Sequence, residues 1–288
     1  MQKRAQCEKK AYLCIYKARM HEQTVRKHGN VLNTLNRMNK SSKYKHAVEP
    51  FSEDFSGSIS WANLGNLMLR CASLHAGEHG FGYPQMIKLH HAWVLSRLAI
   101  EMDKMPQTGE EFSIETWVDR LYRQFTDRHF SVLRPDGTAF GHGTSTWALI
   151  DTETRQPANL ETLPNGGFTP ALIPERPAPI PTVGRMKMAD AQKVMTHKAA
   201  YSDLDINGHV NSIRYITLLL DCFSAEELKE HMPYRIEMAY CLESYCDDTL
   251  DIYRSADAKN ANRHLFEIKR DEQTIVRGSV EFRQIENR

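Results

Sequence analysis

The sequence predicts an α+β chain built twice over, each copy a long central helix wrapped by an antiparallel β-sheet. Three observations carry this. Residues 54–73 lie over residues 203–222, with Asp54 on Asp203, Leu64 on Ile213, Leu67 on Ile216 and Leu69 on Leu218. A second stretch repeats in the same order, Arg128-His129 on Arg263-His264, Asp136 on Asp271, Gly143 on Gly278 and Trp147 on Phe282. Between the copies, residues 157–181 hold seven of the chain's 12 prolines. Repetition at the scale of a whole domain means that one unit has been duplicated, so each element is read twice.

Residues 1–44 carry 11 Lys/Arg against Glu8 and Glu22, a charge of +9, which leaves −8 on the rest of a chain whose net charge is +1. Such a leader suits a nucleic-acid arm, a targeting peptide, or an extension upstream of a true start at Met38; it lacks a clean amphipathic stripe and is read as a dispensable extension. The first copy spans 45–156. Leu64, Leu67, Met68, Cys71 and Leu74 recur at helical spacing and predict a helix over 61–76. Trp93, Val94 and Ile100 favour a strand over His90–Ile100. Strands are expected at Phe112–Val118, Leu121–Phe125, His129–Arg134 and Gly143–Asp151, with a hairpin turn at Pro135-Asp136-Gly137. Residues 157–194 form the linker; proline fixes φ and lacks the N–H that a ladder needs, so a stiff, extended spacer is expected. The second copy spans 195–288. Its helix carries Ile213, Ile216, Leu219, Leu220 and Phe223, and its strands are Tyr234–Leu242, Thr249–Arg254, His264–Lys269 and Thr274–Gln284, with Asp271-Glu272 at the turn.

Composition narrows the function. With 41% hydrophobic and 25% charged residues the chain is globular rather than disordered. No apolar run approaches the ~18 residues of a membrane span, and no secretory signal opens the chain. Six cysteines without CxxC spacing read as reduced thiols of a cytoplasmic protein. The acidic body argues against nucleic acid as a partner, since phosphate binding relies on Lys and Arg. His75, His79, His90 and His91 lack the Cys or carboxylate that would complete a metal site. Trp61, Trp93, Trp117 and Trp147 are read mainly as core, with the lining of an apolar tunnel as the alternative.

Chemistry is expected where the copies differ. In Asp205-Ile206-Asn207-Gly208-His209 an extended backbone would present a carboxylate, an amide and an imidazole on one side. The alignment above sets Ser56, Ser58 and Ser60 opposite them. A polar loop capping the helix is the plain alternative.

Ser202-Asp203-Leu204-Asp205-Ile206-Asn207-Gly208-His209-Val210-Asn211, followed by Tyr215, resembles the signature of the acyl-acyl-carrier-protein thioesterases, a double hot-dog family of fatty-acid synthesis. Gly109–Trp117 and Trp147–Asp151 are similar to that family's N-terminal strands, and the resemblance covers about 46–288. It implies two tandem hot-dog domains, the first non-catalytic and holding the acyl chain, the second catalytic. It implies hydrolysis of fatty acyl-acyl carrier protein without metal or organic cofactor. The partner is then an acyl carrier protein, with no nucleic acid, no membrane span and room for a homodimer. The site residues carried over are Asp205, Asn207, His209 and, on a following strand, Glu243, with Glu237 the competitor if the register slips. Ser244 stands where plant members carry cysteine, and Cys241 and Cys246 are off register.

For a thioester, Glu243 would act as general base if burial lifts its pKa towards neutrality, or less simply as a nucleophile forming an anhydride. Asn207 and His209 would donate to the oxyanion, helped by free N–H groups at the helix start, and Asp205 would orient them. A hot-dog dehydratase or hydratase, and a non-catalytic carrier-binding module, are the other readings. An acidic carrier would need a basic landing place, for which Arg185, Lys187, Lys193, Lys198 and Arg214 are candidates.

Overall fold

The alternation and periodicity of the sequence resolve, in a computed structural model, into ten strands and four α-helices among the described residues, 40–163 and 169–283. The leader up to residue 39, with its Met38 start, and the end of the last expected strand at Gln284 lie outside them. The first half runs β1 (Ser41–Ala47), α1 (Trp61–Glu78), α2 (Tyr83–Lys88), β2 (His91–Met102), β3 (Glu111–Leu121), β4 (Phe125–Leu133) and β5 (Ala139–Asp151). The second runs β6 (Gln192–Lys198), α3 (Arg214–Leu220), α4 (Ala225–Glu230), β7 (Pro233–Tyr240), β8 (Thr249–Asp257), β9 (Asn260–Arg270) and β10 (Gln273–Phe282). β1 runs across the expected end of the leader at 44, and β6 across the expected end of the linker at 194.

All ten strands belong to one antiparallel sheet, ordered β1-β3-β4-β5-β2-β7-β10-β9-β8-β6. Read outward from the β2–β7 junction, the two halves have the same order. The junction is a ladder from Arg97 opposite Ala239 to Glu101 opposite Arg235. The duplicated unit thus closes on its copy by main-chain hydrogen bonds rather than through a tether.

Helices α1 and α3 pack their buried faces against the sheet in one core. Ser60 accepts the Asn63 N–H at 3.2 Å and caps α1, whose Trp61, Leu64, Met68, Cys71 and Ala72 are buried. Gly143 and Gly278 mark where the helices press closest: a Cβ at Gly143 would lie 3.2 Å from Met68 Sδ, and one at Gly278 2.6 Å from Leu219 Cδ2. The repeat read from the sequence at these two glycines is therefore a packing requirement. His75, inside the first half, takes a hydrogen bond from Arg128 on Nδ1 and lies 3.2 Å from the Lys40 carbonyl through Nε2; burial, then the arginine's charge, drives its pKa down to about 2, so it is a neutral core residue.

Three expectations need correction. The second helix is not long: α3 holds seven residues. Asn211 turns the chain at its start by accepting the Ile213 N–H, and Ser224 with Glu227 forms a capping box that begins α4 three residues after α3's C-cap, Asp221. Leu121–Phe125 is not a strand but the hairpin turn between β3 and β4, closed by Tyr122 N–H on the Phe125 carbonyl at 2.7 Å. The proline-rich segment is not an exposed spacer. Leu160, Leu163, Ala171, Ile180, Val183 and Met186 are buried, and its carbonyls take hydrogen bonds from side chains on the sheet: Arg176 from Trp117, Val183 from Arg97 and Pro181 from Arg235. Proline removes a donor and leaves the acceptor, so a strap bound through its carbonyls tolerates many prolines. The Arg176 guanidinium lies 3.6 Å over the Trp117 ring, which puts that tryptophan under the strap.

Candidate active site

The motif between β6 and α3 is a closed turn. Leu204 and Val210 pair across it as an antiparallel bridge, Asp205 N–H donates to the His209 carbonyl at 2.7 Å, and Gly208 N–H returns to the Asp205 carbonyl at 3.0 Å. Gly208 has φ +78°, a conformation glycine adopts without cost. The segment is not extended, and so alternation does not set its side chains on one face. Asp205 Oδ1 accepts the N–H of Asn207 at 2.8 Å and of His209 at 3.2 Å, so this carboxylate holds the turn. Asn207 is exposed, with Nδ2 3.4 Å from Asp205 Oδ2.

The backbone amides from 207 to 211 are all spent within the protein: Val210 N–H goes to the Ser244 carbonyl and Asn211 N–H to that of Asp203. Helix α3 begins five residues beyond His209. The expected free N–H donors at the helix start are therefore absent from the motif, which leaves its side chains as its donors to a substrate oxygen.

Glu243 is not on a strand. β7 ends at Tyr240, and Glu243 lies in the irregular stretch before β8, which the His209–Tyr245 bridge holds against the turn. Its Oε1 accepts Arg155 Nη2 at 2.6 Å; its Oε2 accepts the Tyr245 hydroxyl at 3.1 Å and faces His209 Nε2 at 3.5 Å. Tyr245 also meets the His209 ring edge-on at 5.2 Å. Burial pushes the Glu243 carboxyl up, but Arg155, His209 and Tyr245 together outweigh it and hold the group below the ordinary carboxylate range. The expectation that burial lifts this pKa towards neutrality is thus reversed: the carboxylate is ionised throughout the neutral range.

The structure therefore joins His209 to Glu243, ties Asp205 to the backbone of both Asn207 and His209, and sets the exposed Asn207 amide against Asp205 Oδ2. Arg155 and Tyr245 were missed. Arg155, after β5, carries no motif; Tyr245 stands two positions after Glu243, a spacing that pairs side chains in an extended stretch. Glu237, the competitor, is buried on β7 between Arg235, Arg263 and Ser279 and belongs to a structural ion network. Ser244 is buried with its hydroxyl 2.5 Å from that of Tyr215, a packing position rather than a reactive one. Of the basic candidates, Lys193, Lys198 and Arg214 are paired with Asp251, Asp247 and Asp203. Arg185 and Lys187 are exposed.

The first half contains the same turn without the same chemistry. Asp54 N–H donates to the Ser58 carbonyl, Gly57 N–H to that of Asp54, and Ser56 N–H to Asp54 Oδ1; Glu53 and Ile59 form the bridge. Ser58 bridges Gln107 as His209 bridges Tyr245. These hydrogen bonds set Asp54, Ser56, Ser58 and Met105 opposite Asp205, Asn207, His209 and Glu243. The alignment by sequence, with Ser56, Ser58 and Ser60 opposite the motif, is out by two residues, and Ser60 is the helix cap.

Comparison with known proteins gives a consistent result. A family profile for the acyl-ACP thioesterase N-terminal domain matches residues 39–162, and one for the C-terminal domain matches 186–284. Oleoyl-acyl carrier protein thioesterase 2 of Arabidopsis thaliana is 27% identical over 237 residues, 76% of this chain and 64% of its own length. Palmitoyl-acyl carrier protein thioesterase of Gossypium hirsutum is 26% identical over 231 residues, 74% of this chain and 55% of its own length. The chain thus spans less than two thirds of either plant relative. A crystal structure of an acyl-ACP thioesterase from Bacteroides thetaiotaomicron superposes with a TM-score of 0.79 at 42% identity, covering 86% of this chain and 99% of that one. The 12:0-ACP thioesterase of Umbellularia californica, 20% identical, shares the fold with a TM-score of 0.73 over 85% of this chain and 98% of its own.

Proposed function

The chain belongs to the acyl-ACP thioesterase family, and from that membership we propose that it hydrolyses the thioester of fatty acyl-acyl carrier protein, releasing a free fatty acid and ending chain elongation. The observation that carries the reading is the Glu243–His209 pair at 3.5 Å on the Asp205 turn, where the first half has Met105 and Ser58 in the corresponding places.

In this mechanism Glu243 takes a proton from water as the water oxygen bonds to the thioester carbon. The oxyanion accepts hydrogen bonds from His209 Nε2–H and from the Asn207 amide, and Asp205 keeps both side chains on one turn. Collapse breaks the C–S bond, and the proton held by Glu243 passes to the departing thiolate. A carboxylate that is always ionised near neutrality is ready to accept a proton, and its weak basicity is offset by water held in place. The exposed thiols of Cys241 and Cys246 support a reducing, cytoplasmic setting.

The test is a panel of acyl-carrier proteins and the matching acyl-CoA esters, followed for free thiol and free fatty acid. Equal release of both from the carrier substrates supports the proposal. A changed acyl chain without thiol release means a dehydratase, and binding without reaction means a carrier-binding module.

A further inference from the structure

We propose that Arg155, delivered by the first half, is a positioning residue for Glu243, so that the reaction centre is assembled from both copies of the duplicated unit. The inference rests on the hydrolytic reading above. Arg155 stands at the end of β5, in a turn that hydrogen bonds define throughout. Asp151 Oδ1 accepts the N–H of Glu153 at 2.9 Å and of Thr154 at 2.7 Å; Arg155 N–H donates to the Asp151 carbonyl, and Asp151 N–H to that of Gln156, each at 2.9 Å. This turn holds Arg155 at φ +60°, a region that non-glycine residues avoid, and strain of this kind gathers at sites where direction matters. The result is a guanidinium Nη2 at 2.6 Å from Glu243 Oε1, across 88 residues of sequence.

The Arg155 side chain is 55% exposed, and exposed pairs add little stability, so the contact's consequence falls on the carboxylate itself. Arg155 fixes Oε1, which turns Oε2 towards Tyr245 and His209, where an attacking water has to sit. The charged and titratable groups around Glu243 are Arg155 from the turn after β5, His209 from the 204–210 turn and Tyr245 from its own segment, with Arg270 of β9 on its backbone carbonyl at 3.4 Å and on Asp248. Arg155 is among the groups that hold the Glu243 carboxyl low. Its removal therefore raises that pKa and moves the acid limb of the pH–rate profile to higher pH.

The test compares wild type, Arg155→Gln, Arg155→Lys, Glu243→Gln and the Arg155→Gln/Glu243→Gln double variant. The readouts are kcat and KM on acyl-carrier protein across pH, and the Glu243 carboxyl titration followed by infrared difference against Glu243→Gln. In Arg155→Gln, kcat falls about tenfold or more, KM stays within about twofold, and both titration and acid limb rise together. Arg155→Lys keeps the charge without the planar fork, so its titration stays near wild type while kcat drops; it also serves if the glutamine variant does not fold. The double variant is no slower than Glu243→Gln, because Arg155 acts through that carboxylate. An unmoved titration, a rise in KM alone, or a double variant slower than Glu243→Gln by the full single-variant factor overturns the proposal. If wild type releases no thiol from any carrier substrate, the hydrolytic reading fails, and the infrared titration still decides whether Arg155 governs Glu243.

Discussion

The turns at 53–59 and 204–210 share their main-chain hydrogen bonds, their left-handed glycine and their aspartate, and differ in what they present to the neighbouring strand connection. Ser58 meets Gln107, with Met105 two residues before it; His209 meets Tyr245, with Glu243 in the place of Met105. An aspartate in this turn is thus a structural requirement that both halves keep, because it caps the amide two residues on. The imidazole and the second carboxylate are what the second half adds. Behind the turn a similar difference recurs. Ser52 accepts Ser60 N–H through its carbonyl, whereas the corresponding Asp203 also buries a carboxylate between Arg214, His197 and the Ala200 N–H. The second half uses buried charge to hold its turn, and the first half does without.

This comparison can be broken at several points. His209→Ala should lower kcat on acyl-carrier protein by about 10²-fold or more, as loss of one oxyanion donor costs ~2.7–4 kcal/mol, while Ser58→Ala leaves kcat within about twofold. Equal losses in steady-state kinetics would mean that the first half's turn takes part in the reaction. Asp203→Asn should destabilise the fold by about 1–3 kcal/mol near neutral pH, since it takes the ion-pair partner from the half-buried Arg214 and weakens the acceptor that His197 and the Ala200 N–H share. Burial raises the Asp203 carboxyl, but the Ala200 N–H, His197 and Arg214 outweigh it and set it below its ordinary value. Its contribution is therefore complete above the unfolded pKa of about 4 and fades as pH falls through the folded value, so denaturation midpoints of wild type and variant should converge in acid. Gly278→Ala should cost about 1–3 kcal/mol, because the new methyl meets Leu219 Cδ2 at 2.6 Å and the Glu237 carbonyl at 3.1 Å. Gly143→Ala should cost less, because its nearest neighbour is the pliant Met68 thioether at 3.2 Å; thermal melts rank the pair. Ser60→Ala removes only the α1 cap, about 1 kcal/mol by chemical denaturation, with activity unchanged.

Much of the fold was legible because it rests on local signals. The Leu64–Cys71 stripe marked α1, and Gly143 and Gly278 entered as a match between the copies, whose packing reason only the structure supplies. The resemblance implied that the two units pair through their sheets, but the strands and register of the β2–β7 ladder were not legible, since they leave no trace in either copy's periodicity. The strap was misread because prolines were weighed by the N–H they lack, while it is held by main-chain carbonyls, those of Arg176, Pro181 and Val183, and by buried apolar side chains. At the site, resemblance supplied Glu243 and the turn residues, but the geometry of the turn came from one glycine at φ +78° and one carboxylate capping two amides, which alternation does not describe. Arg155 was invisible because its role depends on a contact across the duplication.

The central claim, that thioester hydrolysis belongs to the Glu243 carboxylate and that its first-half counterpart is inert, is tested most directly by paired substitution. Free fatty acid release from acyl-carrier protein is measured for Glu243→Gln and for Met105→Leu, with substrate binding followed alongside. The account predicts a fall of about 10²–10⁴-fold in kcat for Glu243→Gln with binding retained, and activity within about twofold of wild type for Met105→Leu. Turnover by Glu243→Gln near the wild-type rate, or an equal loss in Met105→Leu at unchanged stability, would contradict it.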